Sequence, residues 1–166
     1  MRDDPSGEAA LTALHGRLVR LAVKLIWNRD DAEETVQEAF RLALTKGIPT
    51  SERRFGPWMF RTVGNLCLNH RRRRRTEPLS DWIDPPHDAT PEAAAQQAEQ
   101  MECLRQALER LPGQQRMALV LRTMEQMAYG DIAEVMQLSI SAVRAHVHLA
   151  RRRLATTLGD QGEQET

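Results

Sequence analysis

The sequence predicts an all-α protein of two small helical domains joined by a flexible acidic linker. Through most of its 166 residues, apolar side chains recur every three or four positions, which is the period of an amphipathic helix. Residues 76–97 interrupt this pattern with four prolines among acidic residues, a composition typical of a linker. We therefore assign residues 8–75 and 98–158 to the two domains, residues 76–97 to the linker and residues 159–166 to a disordered tail.

The first domain begins with a helix whose apolar face is broad. Its leucines are spaced by three and four residues: Leu11, Leu14, Leu18, Leu21 and Leu25. A second helix starts after Asn28 and carries acidic residues in its first turns, where the helix dipole stabilises them. Further along, Glu34, Gln37 and Glu38 form a polar stripe that fits either a solvated face or a docking surface.

The third helix of this domain is basic. Pro57 suits the first turn of a helix, and Arg61, Asn65 and Asn69 follow at intervals of four on the face opposite the apolar residues. The helix runs into five consecutive arginines at residues 71–75, which repel one another unless a partner neutralises them. Phosphate is the commonest such partner, so this helix predicts nucleic-acid binding.

Charge is strongly segregated although the total is balanced, with 23 basic and 23 acidic residues. Residues 28–40 contain five acids and one arginine, whereas residues 52–75 contain eight arginines and one acid. A neutral total therefore does not argue against nucleic-acid binding. Phe55, Trp58 and Phe60 lie within the basic segment, where their rings either stack on unpaired bases or belong to the core.

The second domain ends in a helix-turn-helix pattern. Residues 128–136 and 140–154 form two helices separated by a short turn, and Ser139 is the expected N-cap of the second helix. Val143 and Val147 mark the apolar face of that helix, which leaves its basic residues on the outside. Such a helix either enters the major groove of DNA or belongs to an ordinary helix pair with a solvated outer face.

The cysteines and histidines give no pattern of a metal site or a catalytic centre. Cys67 and Cys103 lack the spacing of metal ligands, and His146 and His148 point to different faces of their helix. We therefore expect no cofactor, no metal and no enzymatic activity. No apolar run reaches the roughly 20 residues that cross a bilayer, and the N-terminus is unlike a signal peptide, so we expect a cytoplasmic protein without membrane insertion.

Three segments, taken in order, resemble the extracytoplasmic-function branch of the bacterial RNA polymerase sigma factors, in the sigma-70 family. Residues 31–40 (DAEETVQEAF) are similar to the acidic signature of region two. Residues 55–71 (FGPWMFRTVGNLCLNHR) resemble the aromatic and basic block that follows it. Residues 108–116 (LERLPGQQR) and the helix-turn-helix after them resemble region four.

The resemblance implies a sigma factor that binds core RNA polymerase and directs promoter-specific transcription initiation. Core polymerase would be contacted at its β′ clamp helices by Asp31, Glu33, Glu34, Gln37 and Glu38, and at its β flap by region four. The minus-ten element would be read and opened by Arg53, Arg54, Trp58, Arg61, Asn65, Asn69, Arg71 and Arg72. The minus-thirty-five element would be read by Ser141, Arg144, His148, Arg151 and Arg152. An anti-sigma factor is a further partner that the resemblance implies.

The chain departs from the family pattern around its helix-turn-helix. Gln137 stands where glycine is usual in the turn, so we expect either a strained backbone there or a turn of different shape. Ala128 stands where Ser or Thr usually caps the first helix, and Ala145 and Leu149 replace polar or basic residues. Two alternatives to a sigma factor follow: a sigma-like decoy that sequesters an anti-sigma factor, and a free-standing helix-turn-helix repressor.

Overall fold

The computed structural model describes residues 5–73 and 90–162 and contains seven helices and no strand over those ranges. The helices are α1 Pro5–Ile26, α2 Arg29–Thr45, α3 Phe55–Arg73, α4 Pro91–Glu109, α5 Gly113–Thr123, α6 Tyr129–Met136 and α7 Ile140–Gly162. The predicted all-α class is therefore confirmed. Most of the predicted linker, residues 76–89, lies outside the described residues.

Side-chain caps stabilise the starts of α2, α4 and α7. The Asp31 amide donates to Asn28 Oδ1 at the start of α2 (3.0 Å), and the Ala142 amide donates to Ser139 Oγ at the start of α7 (3.1 Å). Thr90 caps α4, whose first residue is Pro91. Residues 91–97, which the sequence places in the linker, are therefore helical, because a cap, a proline and three alanines together favour a helix start.

The first three helices form one half of the molecule. Leu18, Leu21 and Leu25 of α1 are buried against the small side chains of α2 and the apolar face of α3. Between α1 and α2 the chain turns at Trp27, which has a positive φ of 62° and is buried. This half presents the acidic side of α2 and the basic side of α3 on its outer surface.

The last four helices form the other half. The apolar face of α7, marked by Val143, Val147 and Ala150, packs on α5 and α6. Gln137 ends α6 in the left-handed conformation (φ 54°, ψ 45°), which the sequence predicts from the missing glycine. Ala128 gives α6 no side-chain cap, also as predicted. Residues 159–162, predicted to belong to a disordered tail, instead continue α7, because extending an existing helix costs little.

The two halves pack directly against each other. Helix α1 contacts α5, and α3 contacts α6, so that the apolar cores are continuous. Met117 of α5 fills the space above Gly64 of α3, where a Cβ atom would collide with Met117 Cε and lie 2.7 Å from Sδ. Leu68 of α3 packs in the same way against Gly113. Gly64 is thus a close-approach position between the halves.

Candidate polymerase and nucleic-acid interfaces

The five residues of α2 that are predicted to contact core polymerase do not share one environment. Glu34 and Gln37 are exposed, whereas Glu33 and Glu38 are half-buried. Glu33 pairs with an arginine one turn earlier on the same helix, and Glu38 pairs with one a turn later. Asp31 lies further round: its carboxylate is 3.8 Å from His70 Nε2 of α3. The exposed part of the stripe therefore centres on Glu34 and Gln37.

The predicted minus-ten residues lie along one face of α3 and in the loop before it. Arg53 and Arg54 are exposed in that loop. Asn65, Asn69 and Arg72 are exposed on the helix, and their spacing of four and three residues places them on a single face. Arg61 is half-buried on the same face. The set forms a continuous basic and polar strip, apart from Arg71.

The aromatic residues beside this strip divide between surface and core. Phe55 and Phe60 are 3% and 2% exposed and therefore belong to the core. Trp58 is half-buried, and the Lys46 Nζ lies 5.9 Å from the centre of its ring. Of the three rings, Trp58 is thus the one that is partly accessible, and it lies next to positive charge.

The helix-turn-helix presents its predicted reading residues outward. Ser141, Arg144 and His148 are exposed on α7, and so are the adjacent Arg151 and Arg152. Their spacing of three and four residues places them on one side of the helix, opposite Val143 and the other core residues. No acidic side chain pairs with them among the ion pairs of the described residues.

Tyr129 links the reading helix to the rest of the second half. The guanidinium of Arg144 lies 5.4 Å from the centre of the Tyr129 ring, and that of Arg122 lies 4.8 Å from it. Arg122 also donates to the carbonyl of Met127 (2.8 Å), which holds this side chain in place. Contact with the ring restricts the rotamers of the two arginine side chains, so Tyr129 helps to orient Arg144. Tyr129 is not among the residues predicted from the sequence.

An ion pair joins the two halves on one side of their interface. Arg17 Nε of α1 donates to Glu125 Oε2, in the turn after α5, at 2.8 Å. The Glu125 side chain is 3% exposed, and Arg20 approaches its other oxygen at 3.9 Å. The guanidinium of Arg17 also lies 4.9 Å from the centre of the Phe60 ring. Arg17 therefore contacts α3 and the second half at once.

A second polar cluster lies where the C-terminal part of α3 meets α4 and α5. Arg71 Nη1 is 3.6 Å from Glu109 Oε1, and Arg105 Nη1 is 2.6 Å from the same oxygen. Arg105 also binds Glu102, and this hydrogen bond lowers the pKa of Glu102 and raises that of Arg105. Burial, helped by the charge of Arg71, lowers the pKa of Arg116 to about 10.

The remaining titratable and ligand-type side chains of the described residues lie apart from one another. Burial raises the pKa of the Cys67 thiol, which is therefore unreactive at neutral pH. Across residues 5–73 and 90–162, no three His, Cys, Asp or Glu side chains are placed to hold one metal ion. Over the same ranges no helix combines the length and apolar character needed to span a bilayer.

These features define a class of protein. One half carries an exposed acidic helix face and a basic, partly aromatic strip, and the other half carries a helix-turn-helix with a basic reading face. Such a chain is a two-part helical DNA-binding protein with a separate surface for a protein partner.

Comparison with known families makes the assignment specific. The model for sigma-70 region 2 matches residues 11–77, and the model for sigma-70 region 4 matches residues 101–154. The chain belongs to the extracytoplasmic-function RNA polymerase sigma factors of the sigma-70 family. The order of the two matches along the chain is the order that the sequence resemblance predicted.

Individual relatives cover nearly all of the chain. It is 31% identical over 155 residues to the ECF RNA polymerase sigma factor SigE of Mycolicibacterium smegmatis, covering 90% of this chain but only 60% of that relative. It is 30% identical over 155 residues to the RNA polymerase sigma-H factor of Pseudomonas aeruginosa, covering 86% and 80% of the two chains. The fold is similar to that of the sigma factor RpoE, solved in complex with the anti-sigma factor NepR from Bartonella quintana (TM-score 0.69, 23% identity, 92% and 96% covered).

Proposed function

We propose that this chain binds core RNA polymerase and directs promoter-specific transcription initiation. The observation that carries the proposal is the presence in one chain of region 2 and region 4, each with its functional face exposed. The chain acts as a non-enzymatic subunit in the bacterial cytoplasm, because its work is to bind and position polymerase and DNA. Its site residues act on three different surfaces.

The first surface is the acidic face of α2, which docks on the β′ clamp helices. Glu34 and Gln37 are exposed, and Glu38 is only half-buried, so this face can meet a basic partner without rearranging the core. The pair between Glu38 and Arg41 is on the surface, where such pairs contribute about 1 kcal/mol or less. Glu38 can therefore leave Arg41 and pair with an arginine of polymerase at little cost in free energy.

The second surface is the strip on α3 and the loop before it, which captures the minus-ten element. Asn65 and Asn69 can hydrogen-bond to base edges, while Arg53, Arg54 and Arg72 bind phosphate. The half-buried Trp58 offers a ring on which an unpaired base can stack. Capture of unpaired bases by this strip favours the melted state of the promoter.

The third surface is the outer face of α7, which reads the minus-thirty-five element as duplex. Arg144 is exposed near the N-terminal end of the helix, where recognition helices meet base edges, and can make a bidentate contact to guanine. Arg151 and Arg152 lie further along and bind phosphate. Ala145 and Leu149 are exposed on the same helix but carry no hydrogen-bonding group, so fewer bases are read directly.

The two promoter elements cannot be bound together by the packed arrangement of halves. Their centres are about 25 base pairs apart, or roughly 85 Å of duplex. A compact chain of this length has a radius of gyration of about 15 Å. The halves must therefore separate when the chain binds polymerase and promoter, with the segment between α3 and α4 spanning the gap.

An anti-sigma factor is the proposed regulator. The sigma factor RpoE, whose fold is similar to that of this chain, was solved in complex with the anti-sigma factor NepR. CnrH, also of similar fold (TM-score 0.65, 23% identity), was solved in complex with the cytosolic domain of CnrY. We infer a regulatory protein of the same kind here, which would bind the chain and keep it from core polymerase.

The test is co-elution of the purified chain with sigma-free bacterial core polymerase on a sizing column, followed by transcription from a pool of promoter fragments. Binding with promoter-specific transcripts is the expected result. Binding without transcripts contradicts the role in initiation, and absence of binding favours the decoy or the repressor.

A further inference from the structure

The interface between the halves contains a contact that bears on DNA binding. Arg71 is one of the minus-ten residues, yet its side chain is only 19% exposed, whereas its neighbour Arg72 is exposed. The carboxylate of Glu109, from α4 in the other half, lies 3.6 Å from Arg71 Nη1. Glu109 is held there by Arg105, which donates to the same carboxylate oxygen at 2.6 Å.

We propose that Glu109 occupies the place of a DNA phosphate at Arg71, so that the free chain masks part of its own minus-ten surface. The inference rests on the proposed function, because it takes Arg71 to be a DNA contact. A carboxylate and a phosphate are both anions that attract a guanidinium, and at 3.6 Å Glu109 faces Arg71 Nη1 as an ion-pair partner without a hydrogen bond. Separation of the halves removes the negative charge of Glu109, which stays with Arg105 on α4, from beside Arg71 and so favours the approach of the promoter backbone.

The surroundings of this contact limit its strength. Arg116 of α5 is 5% exposed, and its Nε and Nη1 atoms find no hydrogen-bond acceptor within the described parts of the chain. Its charge is close enough to that of Arg71 for the two to repel, and Glu109 is the acid that offsets them. A buried cation without full hydrogen bonding destabilises the packed form, and separation of the halves returns Arg116 to water. The mask is therefore weak enough to open when polymerase and promoter bind.

Helix α4 supplies a matched control for testing the effect of Glu109 on Arg71. Glu102 and Glu109 are both acids of α4 that bind Arg105, but only Glu109 is within ion-pair distance of Arg71. Glu109→Gln and Glu102→Gln each raise the net charge by one, so a general electrostatic effect on DNA binding is the same in both variants. A difference between them reports the contact with Arg71.

The experiment measures binding of the full-length free chain to fluorescently labelled single-stranded DNA by anisotropy at low salt. We expect Glu109→Gln to bind about threefold to tenfold more tightly than the wild type, and Glu102→Gln to exceed the wild type by less than about twofold. The salt dependence of Glu109→Gln should steepen by about one released counterion. Equal affinities for the two variants would overturn the proposal.

A double variant shows whether the gain in DNA affinity from Glu109→Gln depends on Arg71. In Arg71→Gln chains, the Glu109→Gln change should no longer raise DNA affinity; a gain of the same size there would also overturn the proposal. Circular dichroism of each variant checks that its helices are intact. Transcription by wild-type chain with core polymerase tests the proposed function separately, so a failure of the mask and a failure of the sigma assignment give different results.

Discussion

The pair between Arg17 and Glu125 should be the strongest single polar contact between the halves. Arg17→Ala removes a 2.8 Å hydrogen bond to a carboxylate that is 3% exposed, worth about 1.5 to 3 kcal/mol. It also removes the stacking on Phe60, worth about 0.5 to 1 kcal/mol. Arg20 remains 3.9 Å from the other carboxylate oxygen and offsets part of this loss. We expect a net destabilisation of about 2 to 3 kcal/mol.

Arg20→Ala is the matched control for this prediction. Arg20 belongs to the same helix and approaches the same carboxylate, but its side chain is 67% exposed and makes no close hydrogen bond to it. Such a pair contributes about 0.5 kcal/mol or less. Urea unfolding followed by circular dichroism gives the two free energies, and a thermal scan should place Arg17→Ala about 4 to 10 °C below the wild type.

A double-mutant cycle then isolates the pair. Combining Arg17→Ala with Glu125→Gln should give a coupling energy of about 1 to 2 kcal/mol, because the second change costs little once the first has removed the partner. Equal destabilisation by Arg17→Ala and Arg20→Ala, or a coupling energy near zero, would refute the view that a buried carboxylate ties the halves together. Intrinsic fluorescence as a second probe checks that both halves unfold together.

Four further predictions concern other parts of the molecule. Charge reversal of Glu34 and Glu38 to lysine should abolish co-elution with core polymerase while the helical signal stays unchanged; retained binding would remove α2 from the interface. Arg144→Ala should lose preference at one base pair of the minus-thirty-five element, by about 1 to 3 kcal/mol in competition binding, whereas a uniform loss would make it a phosphate contact. Tyr129→Leu should lose part of the same preference and Tyr129→Phe should keep it. Cys67 should resist alkylation at neutral pH until the chain unfolds, as mass spectrometry would show.

The reading surfaces could be placed from the sequence because their signals are local. Apolar spacing identified which side of α3 and α7 faces the core, and therefore that Asn65, Asn69 and Arg144 face outward. The left-handed Gln137 followed from the absence of glycine at a helix end that needs one. The burial of the aromatic residues could not be predicted in the same way, because periodicity alone does not separate a core ring such as Phe60 from a half-buried one such as Trp58.

Periodicity and capping residues in the sequence predict the first three helices, the helix-turn-helix, the helix starts after Asn28 and Ser139, and the order of the two sigma regions. Which surfaces meet is visible only in the folded chain. Arg17 and Glu125 are 108 residues apart, and Arg71 reaches Glu109 from the other half. Periodicity shows that a face is apolar but not which face it packs against, since any apolar surface of matching shape satisfies the hydrophobic effect. Only the packed chain shows that Gly64 admits Met117, and that this close approach brings the two charge clusters together.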